Sequence, residues 1–280
     1  MNRRRSVLAG RVRSTRVLVG VVAAVSIAAV SIAACGLGGN APARPPTVLT
    51  VLAAASLRDV AAAAGPAYGR AVRIEIEVST DSSTALRVQI EQGAEADLFL
   101  SADTRNPDAL AASGLVDGSV VPFARNGLAI ITPADDPAGI RTAADLARPG
   151  VKIVAAGAEV PISGYAEQLV DQIASAPGVA ADFAAAYAAN VVSREDNVKA
   201  IVAKIELGEG DAAIVYASDA AASTSVRVIP LPAGVDVRAT YAGVVPTTSR
   251  HPADGHALLD WLIGPAGLEI LARFGFTPPS

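Results

Sequence analysis

The sequence predicts a mixed α/β fold of two lobes, each a mostly parallel sheet flanked by helices, with a ligand in the cleft between them. Strand-like and helix-like segments alternate almost throughout, which is typical of parallel sheets covered on both faces. The first strand, residues 48–53, is a continuous apolar run of the kind that is buried on both sides. About 235 residues follow the N-terminal segment, and this length suits two lobes better than one.

Each predicted element has its own local signal. Apolar runs or strict alternation predict the strands, which we place at residues 48–53, 72–78, 97–101, 128–132, 151–155, 212–216, 226–229 and 237–245. Helical spacing of apolar residues, with polar or proline starts, predicts the helices, which we place at residues 56–64, 84–93, 106–114, 164–174, 180–188, 197–207, 253–263 and 265–274, with a further short helix after residues 142–145. We expect Gly65 and Pro66 to end the first helix, and Thr142 with Asp145 to form a capping box.

The N-terminal segment carries targeting signals rather than fold. A start rich in arginine precedes an uncharged apolar run over residues 17–34, so residues 1–34 are predicted to be a signal peptide. Cys35 is the only cysteine and follows Ile32, Ala33 and Ala34, which resembles a bacterial lipobox. We therefore expect Cys35 to be lipidated and residues 35–46, rich in Gly and Pro, to be a flexible tether. The protein would then sit on the outer face of the cytoplasmic membrane.

Composition excludes several classes of protein. Apolar residues make up 51% of the chain, so a disordered protein is excluded. The net charge of −4 gives no electrostatic footprint for nucleic acid. A single thiol excludes a disulfide framework and a cysteine-rich metal site.

Four turns place hydroxyls or free backbone N–H groups where a helix is predicted to start. They are the segments 53–57, 81–84, 160–164 and 195–198. The first N–H groups of a helix are unpaired and its dipole is positive there, so several such ends in one cleft can hold an anion without Lys or Arg. Serine and asparagine at helix starts also serve as ordinary caps, and each turn taken alone is explained by capping.

Six stretches, taken together and in this order, resemble the periplasmic molybdate-binding proteins of ABC transporters. They are VLAAASL at 51–57, DSSTAL at 81–86, QIEQGAEADLFLSAD at 89–103, VPISGYA at 160–166, EDNVKAIVAKIELGEGDAAIVYASDA at 195–220 and GFTPP at 275–279. The resemblance implies the type II periplasmic binding protein fold. It also implies a monomer that hands molybdate, or the similar tungstate, to a membrane permease and its ATPase.

The resemblance also implies the binding residues. Ser56 and Ser83 would hold the anion through hydroxyl and N–H, Ile162 and Val198 through backbone N–H, and Tyr216 through its phenol. Ile162 is bulkier than the alanine often found there. Asp81 lies two residues from Ser83, and since a carboxylate would repel a dianion, we expect it to cap the turn or face solvent. No cofactor is implied, and the metal would be bound only inside its oxyanion.

The donors must come from both lobes, which we expect to comprise residues 47–124 with 238–280 and residues 125–237. Sulfate and phosphate remain alternative ligands, because charge does not separate tetrahedral dianions. The alternative from another class is a serine hydrolase. The chain has only His251 and His256 as candidate bases and no G-x-S-x-G motif, so we expect no enzymatic activity.

Overall fold

The computed structural model describes residues 47–279, so the predicted signal peptide, Cys35 and the whole predicted tether lie outside the described residues. The strands of this part run in chain order β1 to β9: Val48–Ala54, Glu75–Asp81, Leu98–Ser101, Val116–Pro133, Ile153–Ala156, Val191–Glu195, Ala212–Tyr216, Val226–Ile229 and Arg238–Pro246. The α-helices run from α1 to α9: Arg58–Val72, Ser83–Glu91, Arg105–Ala112, Pro161–Ala174, Phe183–Ala189, Val198–Glu206, Ala217–Ala221, Pro252–Ile263 and Pro265–Arg273. Short 3₁₀ turns occupy Ala55–Leu57 and Ala143–Ala147. No helix in this range is both long and apolar enough to cross a bilayer.

Two sheets share one long strand. In the first sheet β2, β1 and β3 are parallel, and β9 and the first part of β4 complete it in antiparallel pairing. In the second sheet β6, β5 and β7 are parallel, and the last part of β4 pairs with β7 and β8. The partners of β4 change between Gly127 and Leu128. The two-lobed α/β prediction is confirmed, while the exact lobe boundaries stay a prediction.

Each antiparallel pair of strands in the described residues involves β4 or β9. Strand β4 has 18 residues and is long enough for its first part to pair in the first sheet and its last part in the second. Register shifts near Asp117 and Pro122 bend it on the way. We call the part built on the first sheet the first lobe and the part built on the second sheet the second lobe.

Helix α1 runs past the point where the sequence predicted its end. Pro66 lies inside the helix, which continues to Val72, so the prediction that Gly65 and Pro66 stop it is wrong. The reason is packing: Tyr68 is buried against Trp261 at a ring distance of 5.4 Å. The next turn also fits closely, since a Cβ on Gly69 would lie 2.5 Å from the carbonyl oxygen of Ile74.

One predicted start is confirmed and another is shifted. Thr142 and Asp145 form the predicted capping box ahead of the 3₁₀ turn. Helix α4 begins at Pro161, three residues before the predicted start at residue 164, because the missing N–H of a proline has no intrahelical role in the first turn. The parallel strands end at the same edge of each sheet, so the starts of α2, α4 and α6 face the space between the lobes.

Candidate functional site

All five residues predicted to bind an anion line one small cavity. Its empty volume, which includes solvent space at its mouth, is about 220 Å³. Ser56 lies in the turn after β1, Ser83 opens α2, and Ile162, Val198 and Tyr216 lie in α4, α6 and β7. The remaining wall is formed by Ala54, Ala55, Ser82, Ala102, Val160, Pro161 and Asn197.

The cavity is lined by buried residues and its wall is uncharged. The five predicted residues are between 1% and 4% exposed. Among the lining residues within 47–279, none carries a formal charge. A ligand held here must therefore be satisfied by neutral groups, and it would interact with them in a medium that screens poorly.

The hydroxyl of Ser83 has one of its two functions already in use. Its Oγ accepts a hydrogen bond from the backbone N–H of Ala102 at 3.0 Å. A hydroxyl also has one proton to donate. The proton of Ser83 has no acceptor among the described residues, so it is free to be donated to a ligand in the cavity. Capping of α2 falls to the neighbouring Ser82, whose Oγ accepts from the N–H of Ala85.

Tyr216 presents a phenol that lacks a partner. Its hydroxyl is buried and makes no hydrogen bond within the described part of the chain. An unpaired buried hydroxyl is destabilising unless a ligand or water satisfies it. Burial raises the pKa of Tyr216 well above its ordinary value, and the neighbouring Tyr241 and Tyr165 add to the rise. The group is therefore a donor at neutral pH.

Backbone N–H groups complete the donor set. Ile162 and Val198 occupy the first turns of α4 and α6, where N–H groups have no intrahelical acceptor. Asn197 caps α6 through the N–H of Ala200 at 3.1 Å, which leaves the N–H of Val198 to the cavity. The resemblance assigns only the backbone N–H of Ile162 to the ligand, and the bulk of its side chain is compatible with that expectation.

Two local expectations have different outcomes. Ser56 does not cap a helix: no side-chain cap precedes α1, and the Ser56 Oγ lies 2.9 Å from the hydroxyl of Tyr241. Asp81 does cap its turn, since its carboxylate accepts from the N–H of Ser82 at 2.7 Å and lies 3.5 Å from the Asn197 Nδ2. The Asp81 carboxylate is thus engaged in hydrogen bonds next to the cavity and does not line it.

Contacts between the lobes surround the cavity. The hydroxyl of Thr84 donates to the carbonyl oxygen of Glu159 at 2.6 Å. The ammonium of Lys199 lies 2.9 Å from Asp59 in the first lobe and 3.0 Å from Asp219 in the second. Burial lowers the pKa of Lys199, but the two carboxylates outweigh it and the net pKa is raised. These contacts describe a closed cleft.

Sequence reasoning missed two residues behind the cavity, Tyr241 and Asn126. Tyr241 lies on β9 and its ring packs edge-on against Phe123, Phe276 and Tyr216. Asn126 lies on β4 and its Nδ2 is 3.5 Å from the Tyr241 hydroxyl. In the sequence both residues belong to strand patterns, and nothing in the pattern marks them as part of a site.

The two histidines lie apart from the cavity serines. His256 pairs with Asp117 at 3.5 Å, and the backbone N–H of His251 is bonded to Asp97. Neither histidine lines the cavity. A nucleophilic serine needs a base within hydrogen-bond reach, and these positions provide none.

Comparisons with known proteins agree with this geometry. The Molybdate-binding protein ModA of Mycobacterium tuberculosis is 32% identical over 269 residues, covering 93% of this chain and 97% of that protein. The structure of the periplasmic molybdate-binding protein of Azotobacter vinelandii matches with a TM-score of 0.67 at 20% identity, covering 83% of this chain and all of that one. The sulfate-binding protein SubI of M. tuberculosis matches with a TM-score of 0.71 at 21% identity, over 83% and 87% of the two chains. At these identities the two structures show the fold alone.

A family match covers nearly the whole described part. Residues 49–277 match the family described as bacterial extracellular solute-binding protein. Its members and the relatives above are binding proteins rather than enzymes, in line with the expected lack of enzymatic activity. The chain belongs to the bacterial extracellular solute-binding protein family.

Proposed function

We propose that this protein captures molybdate outside the cytoplasm and delivers it to the permease and ATPase of an ABC importer. The observation that carries the proposal is a buried cavity whose convergent polar groups are all neutral donors, from both lobes. Each hydrogen bond from a neutral donor to a charged acceptor contributes about 1.5–3 kcal/mol. Several together offset the desolvation of a dianion. The 32% identity to a protein named for molybdate binding supports this choice of ligand.

Phosphate fits the donor set less well than molybdate. At neutral pH phosphate keeps a proton that needs an acceptor. The Ser83 oxygen already accepts from Ala102, and the first-turn N–H groups only donate. A hydroxyl oxygen such as that of Tyr216 would have to accept this proton, which turns a donor toward the ligand into an acceptor. We therefore expect phosphate to bind weakly because of its proton. We expect sulfate to bind weakly because its shorter bonds leave its oxygens beyond the reach of some rigid donors. Tungstate, nearly the size of molybdate, is expected to bind.

Calorimetric titration of the purified protein with molybdate, tungstate, sulfate and phosphate tests the proposal. We expect tight binding of the first two oxyanions, and binding of sulfate and phosphate at least about 100-fold weaker, equivalent to roughly 2.7 kcal/mol. Tighter binding of sulfate than of molybdate would replace the proposed ligand with the alternative one. Hydrolysis of generic esters at Ser56 or Ser83 would contradict a pure binding function.

The membrane anchor is part of the proposal. Lipidation of Cys35 would keep the protein on the outer face of the cytoplasmic membrane, with residues 36–46 as tether and the protein acting as a monomer. Replacement Cys35→Ala is expected to release the protein from the membrane fraction or to block its processing. A variant that is processed normally and stays membrane-bound would contradict the lipobox interpretation.

A further inference from the structure

A chain of hydrogen-bonding groups leads from the cavity into the core. The Ser56 Oγ lies 2.9 Å from the Tyr241 hydroxyl. The Nδ2 of Asn126 lies 3.5 Å from the same hydroxyl and 2.8 Å from the Oγ of Ser218. Tyr241 and Asn126 are both 0% exposed. These side chains join the turn after β1 with β9, β4 and α7, so the chain of hydrogen-bonding groups crosses from the first lobe to the second.

The chemistry of the groups gives this chain a direction. An amide nitrogen only donates, so the Asn126 Nδ2, 3.5 Å from the Tyr241 oxygen, cannot accept the proton of Tyr241. Tyr241 keeps its own proton, because burial and the charge of Asp219 raise its pKa well above the ordinary value. The Ser56 oxygen, 2.9 Å away, is the remaining acceptor for that proton. Ser56 then has its own proton free for the cavity.

The opposite direction conflicts with an anion in the cavity. If Ser56 donated to Tyr241, its oxygen would present lone pairs to the ligand, and two acceptors repel each other. A phenylalanine would fill the same space between Phe123, Phe276 and Tyr216 without burying a hydroxyl. A fully buried hydroxyl is destabilising unless its hydrogen bonds are used, so packing alone does not account for tyrosine at this position.

We propose that Tyr241, backed by Asn126, is a positioning residue that makes Ser56 a hydrogen-bond donor toward the oxyanion. The inference rests on the proposed function, since it assumes that Ser56 binds the ligand. It extends that function to two residues that do not line the cavity. It also predicts that the effect of Tyr241 on binding passes entirely through Ser56.

A double-mutant cycle tests the inference. Sodium molybdate is titrated into the parent protein, Ser56→Ala, Tyr241→Phe and the double variant. We expect Ser56→Ala to weaken binding about 10- to 100-fold and Tyr241→Phe about 2- to 10-fold. In the Ser56→Ala background the Tyr241→Phe change is expected to have no further effect, because the group it positions is gone. A general structural defect would persist in that background.

Two further variants sharpen the reading. Tyr68 is another buried tyrosine, which packs on Trp261 and takes no part in the chain of hydrogen-bonding groups. The Tyr68→Phe variant is therefore expected to bind molybdate like the parent protein. Asn126→Leu is expected to weaken binding in the parent but not in Tyr241→Phe. Thermal unfolding of each variant checks that it is folded.

The outcomes separate the inference from the proposed function. If Tyr241→Phe binds as tightly as the parent or more tightly, Ser56 does not depend on Tyr241 and the inference is overturned. A loss that persists in the Ser56→Ala background overturns it as well. Both results leave the proposed function standing as long as Ser56→Ala weakens binding. If Ser56→Ala itself binds like the parent, the assignment of Ser56 to the site fails, and the inference fails with it.

Discussion

Ser83 and Tyr216 offer the most direct test of the cavity at the scale of single residues. Ser83→Ala and Tyr216→Phe each remove one donor and leave an anion oxygen without a partner. We expect each change to weaken molybdate binding roughly 10- to 100-fold, equivalent to about 1.5–3 kcal/mol. Ile162→Ala is the matched control: it changes the cavity wall but keeps the backbone N–H, so its effect should be much smaller. Equal binding by Ser83→Ala, Tyr216→Phe and the parent would remove both residues from the site.

The tyrosines also predict how stability responds to alkaline pH. Burial is the main cause that raises the pKa of all five tyrosines, to about 12 for Tyr187. In the unfolded chain they lose protons near pH 10. Above that pH the unfolded state binds fewer protons than the folded state, so the free energy of unfolding falls as pH rises. Below the pKa of tyrosine in the unfolded chain, the tyrosines are protonated in both states and do not make the free energy of unfolding depend on pH.

Urea unfolding between about pH 8 and 11 measures this dependence. Tyr187→Phe, outside the cavity, should flatten the decline and leave molybdate binding unchanged. Tyr216→Phe should flatten it too but weaken binding. If the free energy of unfolding falls equally steeply in both variants and in the parent, Tyr187 and Tyr216 do not cause the decline.

The sequence locates the donors that touch the cavity but not the residues that orient them. Ser56 and Ser83 stand in recognisable turns and Tyr216 ends a recognisable strand, so a resemblance over short motifs is enough to find them. Tyr241 and Asn126 lie in strands, where an apolar or alternating pattern is the only local signal. Their role depends on distances between residues that are up to 185 positions apart, which a pattern along the chain does not contain.

At the scale of elements, α1 carries a built-in weakness at Pro66. Pro66 is exposed and lies inside the helix, where it lacks the N–H that would bond the carbonyl of Ala62. We expect Pro66→Ala to raise the free energy of unfolding by about 1–2 kcal/mol. The gain in helix propensity, up to roughly 3 kcal/mol, is partly offset by the extra freedom of the unfolded chain. Denaturant titration measures the change, and ligand affinity should stay constant.

Pro265→Ala provides a matched control for that prediction. Pro265 is also exposed but stands at the first turn of α9, where a missing N–H breaks no helical bond. This change should give little or no gain. A gain at Pro265 equal to that at Pro66 would show that the effect arises in the unfolded state and not in α1.

Elements with a clean period were predictable, whereas elements set by long-range pairing were not. The strand β7 is a short buried apolar run and matches its predicted range, residues 212–216. Only the last part of β4 was predicted, at residues 128–132, because Gly118, Pro122 and polar residues interrupt the pattern before it. That earlier part is held by its pairing with β9 across register shifts. The same reasoning explains Pro66, where tertiary packing outweighs a local stop signal.

At the scale of the whole molecule, the cavity is complete only when the lobes meet. Ser56 and Ser83 belong to elements of the first lobe, and Ile162, Val198 and Tyr216 to elements of the second. The hydrogen bond from the Thr84 hydroxyl to the backbone carbonyl of Glu159 and the contact of Asp81 with Asn197 lie beside those same turns. A ligand that bonds to both sides therefore adds its free energy to the closed form, which shifts the population toward closure.

The charge bridge through Lys199 allows closure to be changed without touching the cavity. Its ammonium lies 2.9 Å from Asp59 across the cleft and 3.0 Å from Asp219 within its own lobe. Asp59→Asn removes only the contact between lobes, and Lys199 keeps its partner Asp219. Since the Asp59 side chain is 42% exposed, we expect a modest loss of molybdate affinity, about two- to fivefold, that shrinks as salt is raised.

Small-angle scattering with titration separates this effect from a general change in charge. Molybdate should compact the parent protein, and the ligand-free Asp59→Asn variant should be more extended than the ligand-free parent while the bound forms agree. Asp236→Asn makes the same charge change at an exposed pair with Arg238, away from the cavity, and should match the parent in both measurements. If Asp59→Asn behaves like Asp236→Asn, the bridge does not contribute to closure. If molybdate compacts none of the three proteins, closure does not accompany binding, and the donors of the two lobes must already be in place before the ligand arrives.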